Sequence, residues 1–555
     1  MNAELLVRGG KVLDVFSGSF FSSPLAIGSG KILGFGAKEA EKIVDLEEAY
    51  VIPGLIDAHV HLESSKLAPW EFARAVLPHG TTAVIADPHE IANVLGLAGI
   101  RWMIEATCNL PLRVFFMAPS CVPASPLETP GAVLTAREIQ EILGWERVIG
   151  LGEVMNFPGV LAGDPDLLAK IQAAQGKPID GHAPGLSGPA LWRYIQAGPR
   201  TDHECTSLAE AQEKLRAGMH ILIREGTTAR NLAALIPLLT PSSAPFVHFC
   251  TDDREPETLL AEGHMDDLIR KAISQGVPPE VAISAATLHT ARAYGLVGLG
   301  ALAPGYAADF LVLSDLPNLR VEQVYVGGKL VAERGKCVAE LPPLPTLPAS
   351  SIRVDLEKIS FHIPAGDGPA RVIRVVPNEV VTEEARLSPK IANGEVVADP
   401  ARDILKIAVV ERHRGTGNVG LGLVQGFGLK EGAIASSVAH DSHHIVVVGT
   451  NDEDMREAVD KLVRLGGGQV VVKNGRVLAE LPLPIAGLMS NRPLSEVQRL
   501  SQELRRAAKA LGSPLPDPFM TLSFLALPVI PALKITDLGL VDVRQFKIVP
   551  LFVEG

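Results

Sequence analysis

The sequence predicts an α/β protein built around a (β/α)8 barrel of the TIM type, with a small β-sandwich formed by both flanks of the barrel and a C-terminal α+β domain. Three observations predict this fold. Between residues 56 and 296, eight apolar strand-like runs alternate with amphipathic helical stretches. Short strand-like runs with glycine-rich turns flank this region on both sides. A proline-rich segment separates this part from the rest of the chain.

The alternation of strands and helices indicates parallel βα units, and eight such units in a row favour a closed barrel. Each candidate strand is a short apolar run that ends in polar residues. The eight runs are IDAHVHL (56–62), TTAVIADP (81–88), RVFFMAP (113–119), VIGLGEVM (148–155), PIDGHAP (178–184), TDHECT (201–206), HILIREGT (220–227) and FVHFCTDD (246–253).

Two of the intervening helices carry start signals. In TAREIQEILGW, Thr135 and Glu138 have the spacing of a capping box. The stretch SLAEAQEKLRAG begins with Ser207, a residue type that caps helices, and ends at Gly218. These signals predict helices that begin directly after Thr135 and Ser207.

The two flanks of the barrel predict one small domain. Residues 1–55 contain runs such as LLVRGGKVLDV, which are typical of short antiparallel strands, and residues 297–345 return to the same pattern. We expect these segments to pair into a β-sandwich beside the barrel of residues 56–296. The segment LPPLPTLPAS (341–350) is rich in proline and marks a boundary, after which residues 351–555 predict a separate α+β domain.

Composition limits the classes of partner. The chain of 555 residues has a net charge of −12 and no basic run, which argues against nucleic acid or an anionic membrane surface as the main partner. No apolar run reaches the roughly 18 residues that a membrane helix needs, and the start of the chain lacks the pattern of a leader peptide. The five cysteines are an odd number without close pairs, which fits a reducing compartment. We expect a cytoplasmic protein that acts on a small molecule or a protein.

Histidines and carboxylates gather at the ends of the predicted barrel strands. In TIM-type barrels the reactive groups lie at the carboxyl ends of the strands, so these side chains should meet at one mouth. The HxH pattern of the first strand is a weak signal alone, whereas HxH together with one histidine on each of two later strands and an aspartate on the last is hard to obtain by chance. The candidate metal ligands are His59, His61, Glu153, His182, His203 and Asp252.

This set of imidazoles and carboxylates predicts a site for divalent metal ions. Nitrogen and oxygen donors of this kind suit Mn, Fe or Zn. Six ligands exceed what one catalytic ion with an open position requires, so two ions bridged by a carboxylate and a hydroxide are the natural interpretation. Such a pair lowers the pKa of a water, and Asp252 could shuttle the proton of that water.

Several motifs resemble a known family of hydrolases. The segments PGLIDAHVHLESS, ISAATLHTARAYGL and GALAPGYAADFLVL are similar to the amidohydrolase superfamily, metal-dependent hydrolases built as a barrel with a small β-sandwich from both flanks. Within that superfamily, other segments resemble the bacterial adenine deaminases: ADPHEIANVLG (86–96), GLGEVMNFPGV (150–160), DGHAPG (180–185), DHECT (202–206) and LALPVIPALKITDLGLVDV (525–543). The resemblance covers nearly the whole chain.

The resemblance implies the hydrolysis of adenine to hypoxanthine and ammonia in purine salvage, by a homo-oligomer. It also implies that the six candidate ligands hold a dinuclear centre of Mn²⁺ or Fe²⁺, with Zn²⁺ as a further option, and that Asp252 doubles as the proton shuttle. Several related branches bridge their metals with a carbamylated lysine on the fourth strand, whereas this chain has Glu153 there. That difference argues against hydantoinase, dihydroorotase and urease chemistry. The single-zinc deaminase signature with PCxxC is absent from the sequence.

Some catalytic roles stay open at this stage. The acid that protonates the purine ring nitrogen could be Glu153, Glu90 or a histidine. His89 and Glu90 follow the second strand, where they could contact substrate and take part in catalysis, or start the next helix. Arg224 and Glu225 on the seventh strand could reach the purine or pair with each other.

Two histidine-containing segments lie outside this set. The α+β domain contains the cluster VAHDSHHIVVVG, with His440, Asp441, His443 and His444. The cluster could bind a metal, close over the barrel mouth, or be a polar turn before a buried strand. His264 follows the last barrel strand, and we expect it to be solvated or to cap a helix.

Two other functions compete with adenine hydrolysis. The same metal site could act on a cyclic amide, another amidine or an acylated amine, and a substrate panel would separate these activities. Alternatively, the chain could be a metal-depleted scaffold or binding protein, which would hold no metal after purification. The complete set of ligands favours an enzyme.

Overall fold

Eight parallel strands form a TIM-like barrel in the first half of the chain. The computed structural model describes residues 3–342, 345–377 and 379–553. Five strands form one parallel sheet and three form a second, and a parallel bridge between Val60 and Asp252 connects the first strand with the segment after the last. The strands are Leu55–Val60, Thr81–Ala86, Arg113–Ala118, Val148–Val154, Ile179–Gly181, Thr201–Asp202, His220–Arg224 and Val247–Cys250.

The observed strands coincide with the eight predicted runs, but all of them end earlier. The fifth strand covers Ile179–Gly181 within the predicted 178–184, and the eighth covers Val247–Cys250 within the predicted 246–253. The chain leaves the hydrogen-bonded ladder at these points, so the polar residues that follow lie in the loops of the barrel mouth. Four candidate ligands therefore lie just beyond their strands: His61, His182, His203 and Asp252.

Helices connect the barrel strands, and both predicted helix starts are confirmed. The backbone N–H of Thr135 donates to the Glu138 carboxylate at 2.9 Å within a complete capping box. The Ser207 hydroxyl accepts the backbone N–H of Glu210 at 3.3 Å. Within the described residues, no helix has both the length and the apolar character needed to cross a membrane. The helices are Pro69–Val76, His89–Leu95, Leu97–Ala106, Ala136–Ile142, Phe157–Ala162, Pro165–Ala173, Gly188–Ala197, Leu208–Arg216, Leu232–Leu235, Pro256–Ala261, Met265–Ser274, Pro279–Ser284 and Thr290–Ala293.

Two further sheets are built from both flanks of the barrel. In a seven-stranded sheet, Tyr50–Pro53 pairs with Phe310–Asp315, so the two flanks share one sheet. A four-stranded sheet packs against it, with Leu25, Val51 and Phe310 in the core between them. The remaining flank strands are Leu5–Arg8, Lys11–Asp14, Ser19–Ser22, Leu25–Gly28, Lys31–Phe35, Lys42–Asp45, Arg320–Val326, Lys329–Glu333 and Lys336–Cys337.

The prediction that the first flank is entirely antiparallel is wrong for two strand pairs. Leu5–Arg8 pairs in parallel with Lys42–Asp45, and Lys11–Asp14 pairs in parallel with Tyr50–Pro53. Parallel neighbours need a long connection, and both pairs join strands that are distant in the sequence. The alternation of apolar and polar residues is the same in both orientations, so it could not distinguish them.

The C-terminal part contains an eight-stranded mixed sheet. The amphipathic helix Asp452–Leu465 packs Met455 and Val459 against Val447 and Val470 of this sheet. From one edge to the other, the strands are Thr382–Leu387, Ala370–Val375, Val419–Gln425, Leu405–Val410, Ile445–Gly449, Ala433–Ser436, Gly468–Lys473 and Arg476–Pro482. The other elements are helices Leu494–Ala510 and Pro518–Phe524 and strands Lys390–Ala392, Glu395–Val397, Leu533–Thr536, Gly539–Asp542 and Lys547–Val549.

The C-terminal part packs against the loops of the barrel mouth. Ser490 accepts a backbone hydrogen bond from Ala68 at 3.1 Å and donates one to Lys66 at 2.8 Å, in the loop after the first barrel strand. Leu67 and Met489 belong to one continuous apolar core that extends from the barrel into the C-terminal part. The barrel mouth is therefore bordered by residues from both halves of the chain.

Candidate metal centre and active site

The first barrel strand directs two imidazoles towards one point. His59 lies near the end of strand Leu55–Val60 and His61 follows that strand, and both side chains are buried. Their Nε2 atoms lie 3.1 Å apart. His61 Nδ1 lies 2.9 Å from the backbone oxygen of Asp87 and donates to it. This bond orients the ring, and the lone pair of Nε2 then faces the other candidate metal ligands.

Glu153, at the end of the fourth strand, lies between two groups of imidazoles. Its Oε1 atom is 3.4 Å from His61 Nε2. Its Oε2 atom is 3.3 Å from His203 Nε2 and 2.5 Å from His182 Nδ1. One carboxylate thus contacts His61, after the first strand, through one oxygen. It contacts His182 and His203, after the fifth and sixth strands, through the other.

Asp252 completes the group from the loop after the eighth strand. Its Oδ1 atom is 3.4 Å from His59 Nε2 and 3.2 Å from His61 Nε2. Its Oδ2 atom accepts a hydrogen bond from Arg224 Nη1 at 2.9 Å. The backbone of Asp252 has a φ of 57°, a left-handed conformation that is uncommon outside glycine and is often found at functional sites.

The six side chains form overlapping sets of donors. Several of these contacts bring together nitrogen and oxygen atoms that carry lone pairs. A divalent cation can bind such atoms together. The arrangement is therefore compatible with a metal site. In each of three sets the ligand atoms lie within 4.8 Å of one another: His59 with His61 and Glu153, His59 with His203 and Asp252, and Glu153 with His182 and His203.

The electrostatics of the site favour ionised carboxylates. Burial opposes the ionisation of Glu153, but neighbouring His182 and further imidazoles hold the pKa of this carboxyl well below its usual range. Burial likewise opposes the ionisation of Asp252, while the neighbouring imidazoles of His59 and His61 and the charge of Arg224 hold its pKa well below the usual range. Both groups are available as anionic ligands.

Two residues that support this centre were missed in the sequence. The Asp87 carboxylate accepts the backbone N–H of Glu153 at 2.9 Å. Glu204 Oε1 lies 3.5 Å from His203 Nε2, and its carboxylate also contacts the guanidinium of Arg224. The signal was present for both, because each is a carboxylate close to a candidate site residue at the end of a barrel strand.

The structure excludes one open alternative and corrects one prediction about nearby residues. Arg224 does not pair with Glu225, whose carboxylate instead lies 3.1 Å from Lys271 Nζ. His264 is neither solvated nor a cap with its side chain: the ring is fully buried, and its Nδ1 atom lies 2.8 Å from the Thr81 hydroxyl. Burial lowers the pKa of His264 well below its usual value. The pattern around His264 suggested only a helix start, and the close packing of the loop against the barrel was not visible in it.

His89 and Glu90 begin helix His89–Leu95, and their side chains also face the centre. His89 Nδ1 lies 3.4 Å from Glu153 Oε1, and His89 Nε2 lies 3.4 Å from Glu90 Oε1. The helix start and the contact with the site are therefore both present. On its other side Glu90 contacts His440 and His443 of the C-terminal part.

The barrel and its donor set define a hydrolase of the amidohydrolase class, and the amidohydrolase family matches residues 50–331. The adenine deaminase C-terminal domain matches residues 379–547. Adenine deaminase from Desulfatibacillum aliphaticivorans is 50% identical over 99% of this chain and 97% of its own length. Adenine deaminases from Nitratidesulfovibrio vulgaris (strain DP4) and Methanothrix thermoacetophila are 51% and 50% identical, over 98% and 100% of this chain and 96% and 98% of their own lengths. This chain belongs to the adenine deaminase family.

Solved structures resemble the chain more distantly. A β-aspartyl dipeptidase from Fervidobacterium islandicum AW-1 is 16% identical, with a TM-score of 0.47, over 61% of this chain and 99% of that protein.

Proposed function

We propose that this chain hydrolyses adenine to hypoxanthine and ammonia. The single observation that carries the proposal is the 50% identity over 99% of the chain to a protein named adenine deaminase. The nitrogen and carboxylate donors at the barrel mouth support it, because hydrolysis at an aromatic carbon requires an activated water. The enzyme is thus a hydrolase acting on the C–N bond of a cyclic amidine.

We further propose that His59, His61, Glu153, His182, His203 and Asp252 hold two divalent cations, with Glu153 shared between them. The contacts of its two oxygens with different groups of imidazoles support this assignment. Mn²⁺ or Fe²⁺ is our choice of ion, with Zn²⁺ as a further option, because mixed imidazole and carboxylate sites accept all three. When bound, such cations lower the pKa of a water and stabilise negative charge.

The residues of the chain then handle the protons. Hydrolysis forms a bond between the oxygen of water and C6 of adenine, breaks the bond between C6 and N6, and releases N6 as ammonia. Asp252 is placed to take a proton from the water and to deliver it to the departing nitrogen, because Arg224 holds Oδ2 and leaves Oδ1 facing His59 and His61. A second acid must protonate ring nitrogen N1 and recover that proton from the oxygen that has added to C6. Of the candidates Glu153, Glu90 and His89, which lie next to one another, only His89 can carry this proton while both carboxylates are ionised.

The organisation of the molecule completes the proposal. We assign residues 1–55 and 297–345 to a β-sandwich domain, residues 56–296 to the barrel and residues 351–555 to the C-terminal domain. Residues 1–2, 343–344, 378 and 554–555 of these ranges lie outside the described part of the chain. We also propose that the protein is a cytoplasmic homo-oligomer in purine salvage.

The test is a direct assay of the reaction. Purified protein loaded with Mn²⁺ should release ammonia from adenine and form hypoxanthine in equal amounts. The same preparation should be offered a cyclic amide, a second amidine and an acylated amine, which are the substrates of the competing interpretation. Turnover of one of these in preference to adenine would replace the proposal, and inactivity towards all of them in a metal-loaded sample would overturn the assignment as an enzyme.

A further inference from the structure

Two histidines of the C-terminal domain, His440 and His443, contact the carboxylate of Glu90 in the barrel, and we call these two histidines the clamp. His440 Nδ1 lies 2.8 Å from Glu90 Oε1, and His443 Nε2 is in direct contact with Glu90 Oε2. All three side chains are buried. Glu90 and His443 are 353 positions apart in the sequence, so this contact exists only because the C-terminal domain packs on the barrel.

The hydrogen bonding of His443 distinguishes a clamp from a further metal site. The backbone N–H of Ala439 donates to His443 Nδ1 at 3.1 Å, so Nδ1 carries a lone pair and the proton of the neutral ring is on Nε2. Nε2 must therefore donate to Glu90, whereas a metal ligand would need a lone pair there. Burial lowers the pKa of His443 to about 4, which agrees with a neutral ring.

The loop that carries both histidines is held in place by its own domain. The His440 ring stacks on Phe524 with ring centroids 4.9 Å apart. The Arg412 guanidinium contacts the backbone oxygen of His443, and His413 Nε2 lies 2.7 Å from the backbone oxygen of Ser442. The clamp is therefore fixed at its far end and can set the position of Glu90.

Glu90 in turn borders the candidate centre through His89. His89 Nε2 lies 3.4 Å from Glu90 Oε1, and His89 Nδ1 lies 3.4 Å from Glu153 Oε1. If the clamp were removed, the Glu90 carboxylate would remain buried with fewer donors, and it would turn or take up a proton to reduce that cost. His89 keeps its orientation beside Glu153 only while the Glu90 carboxylate stays in place and ionised.

We propose that the C-terminal domain completes the active site: His440 and His443 are positioning residues that hold Glu90 against His89 and thereby place His89 beside Glu153. The proposal rests on the proposed adenine hydrolysis. It gives the C-terminal domain a definite task in the reaction without any contact between its two histidines and the substrate.

Paired substitutions test the clamp in the complete metal-loaded protein. His443→Ala and His440→Ala remove the donors, whereas His443→Gln and His440→Asn keep an N–H close to the position of Nε2 and Nδ1, respectively. We expect the alanine variants to lose about 10-fold to 100-fold in kcat, in line with the loss of outer partners of a metal site. KM for adenine and metal content should stay nearly unchanged, and the amide variants should regain most of kcat.

A matched control comes from an exposed pair in the same domain. His362 Nδ1 lies 2.5 Å from Glu395 Oε2, with side-chain exposures of 57% and 33%. His362→Ala should leave kcat unchanged, because this pair is largely exposed and includes none of the site residues. Equal losses in His362→Ala and His443→Ala would indicate a general structural effect and would overturn the proposal.

A double-mutant cycle with Glu90→Gln identifies the route of the effect. If His443 acts through Glu90, His443→Ala should reduce kcat much less in the Glu90→Gln background than in the unaltered protein. Normal kcat in both alanine variants, or full additivity in the cycle, would refute the clamp. If His443→Ala does not fold, the kcat of His440→Ala against His440→Asn decides the question. Inactivity of the unaltered protein towards adenine would instead refute the proposed function.

Discussion

At the scale of single residues, the two oxygens of Glu153 organise the candidate centre. One oxygen contacts imidazoles that follow the first and second strands, and the other contacts imidazoles that follow the fifth and sixth strands. A lysine at this position could bridge two ions only after carbamylation. A glutamate needs no such modification, so the folded chain already presents this carboxylate to the candidate centre.

Substituting Asp252 should separate catalysis from folding. Asp252→Asn keeps an oxygen that can accept from Arg224, but the amide cannot carry a proton at neutral pH. We expect kcat for adenine to fall by about 100-fold to 10,000-fold, as for the loss of a general base or acid. Stopped ammonia assays measure the loss, and circular dichroism measures the fold.

A surface pair gives the control for this variant. Asp45 pairs with Arg8 at 2.7 Å, and the two side chains are 62% and 48% exposed. Because exposed ion pairs contribute little, Asp45→Asn should leave kcat and stability essentially unchanged. Near-normal turnover in Asp252→Asn, with metal still bound, would remove Asp252 from the mechanism.

At the scale of elements, the barrel mouth depends on loops that begin where short strands end. The fifth and sixth strands are only Ile179–Gly181 and Thr201–Asp202, and each is followed at once by a candidate ligand. Helix starts were visible in the sequence because caps are local, and Thr135 and Ser207 begin helices as expected. The early ends of the strands were not visible, because the residues that leave the ladder still alternate as in a strand.

The capping box of helix Ala136–Ile142 yields a prediction at this scale. Thr135→Ala removes the hydroxyl that accepts the backbone N–H of Arg137 at 3.3 Å, at a cost of about 1 kcal/mol. Hydrogen exchange of the amides in this helix should become about fivefold faster, because opening costs that much less free energy. Thr135→Ser retains the cap, and its exchange should match that of the unaltered protein. Equal rates in all three proteins would show that packing alone determines the helix start.

At the scale of the whole molecule, the C-terminal domain and the barrel share one apolar core and one charged network. Lys66, after the first barrel strand, pairs with Glu255 after the eighth at 2.7 Å, and Arg505 of the C-terminal domain pairs with Glu257 at 2.7 Å. The loops of the barrel mouth therefore cannot reorganise without disturbing the domain above them. We infer that loss of metal from the candidate centre would lower the free energy of unfolding of the barrel and the C-terminal domain together.

Removal of metal should lower the thermal stability of the protein. A ligand present at about 100 times its dissociation constant stabilises the folded state by about 2.7 kcal/mol, and chelation also removes the divalent cation from the buried Glu153 and Asp252. Scanning calorimetry should show a lower Tm after chelation and recovery on addition of Mn²⁺. The same treatment should shift His59→Ala less, because that variant lacks one ligand. An unchanged Tm in a sample whose metal loss is verified by elemental analysis would contradict this inference.

Much of the fold and most of the candidate site could be predicted because the relevant signals are local. The hydrophobic period, the helix caps and the residue types at strand ends each depend on residues that are close in the sequence. They indicated the barrel, the two flanks and the six candidate ligands. Strand orientation in the first flank could not be predicted, since the same alternation serves parallel and antiparallel neighbours.

The amino-acid sequence by itself determined which groups this protein brings to its barrel mouth, because βα units place the carboxyl ends of all strands at one face. Only the tertiary structure decided which of those groups meet. Arg224 contacts Glu204 and Asp252 and not its neighbour Glu225, which lies just beyond the strand and contacts Lys271 instead. Glu90 meets His443 across 353 positions, because a contact between domains depends on their packing and leaves no local pattern in either segment.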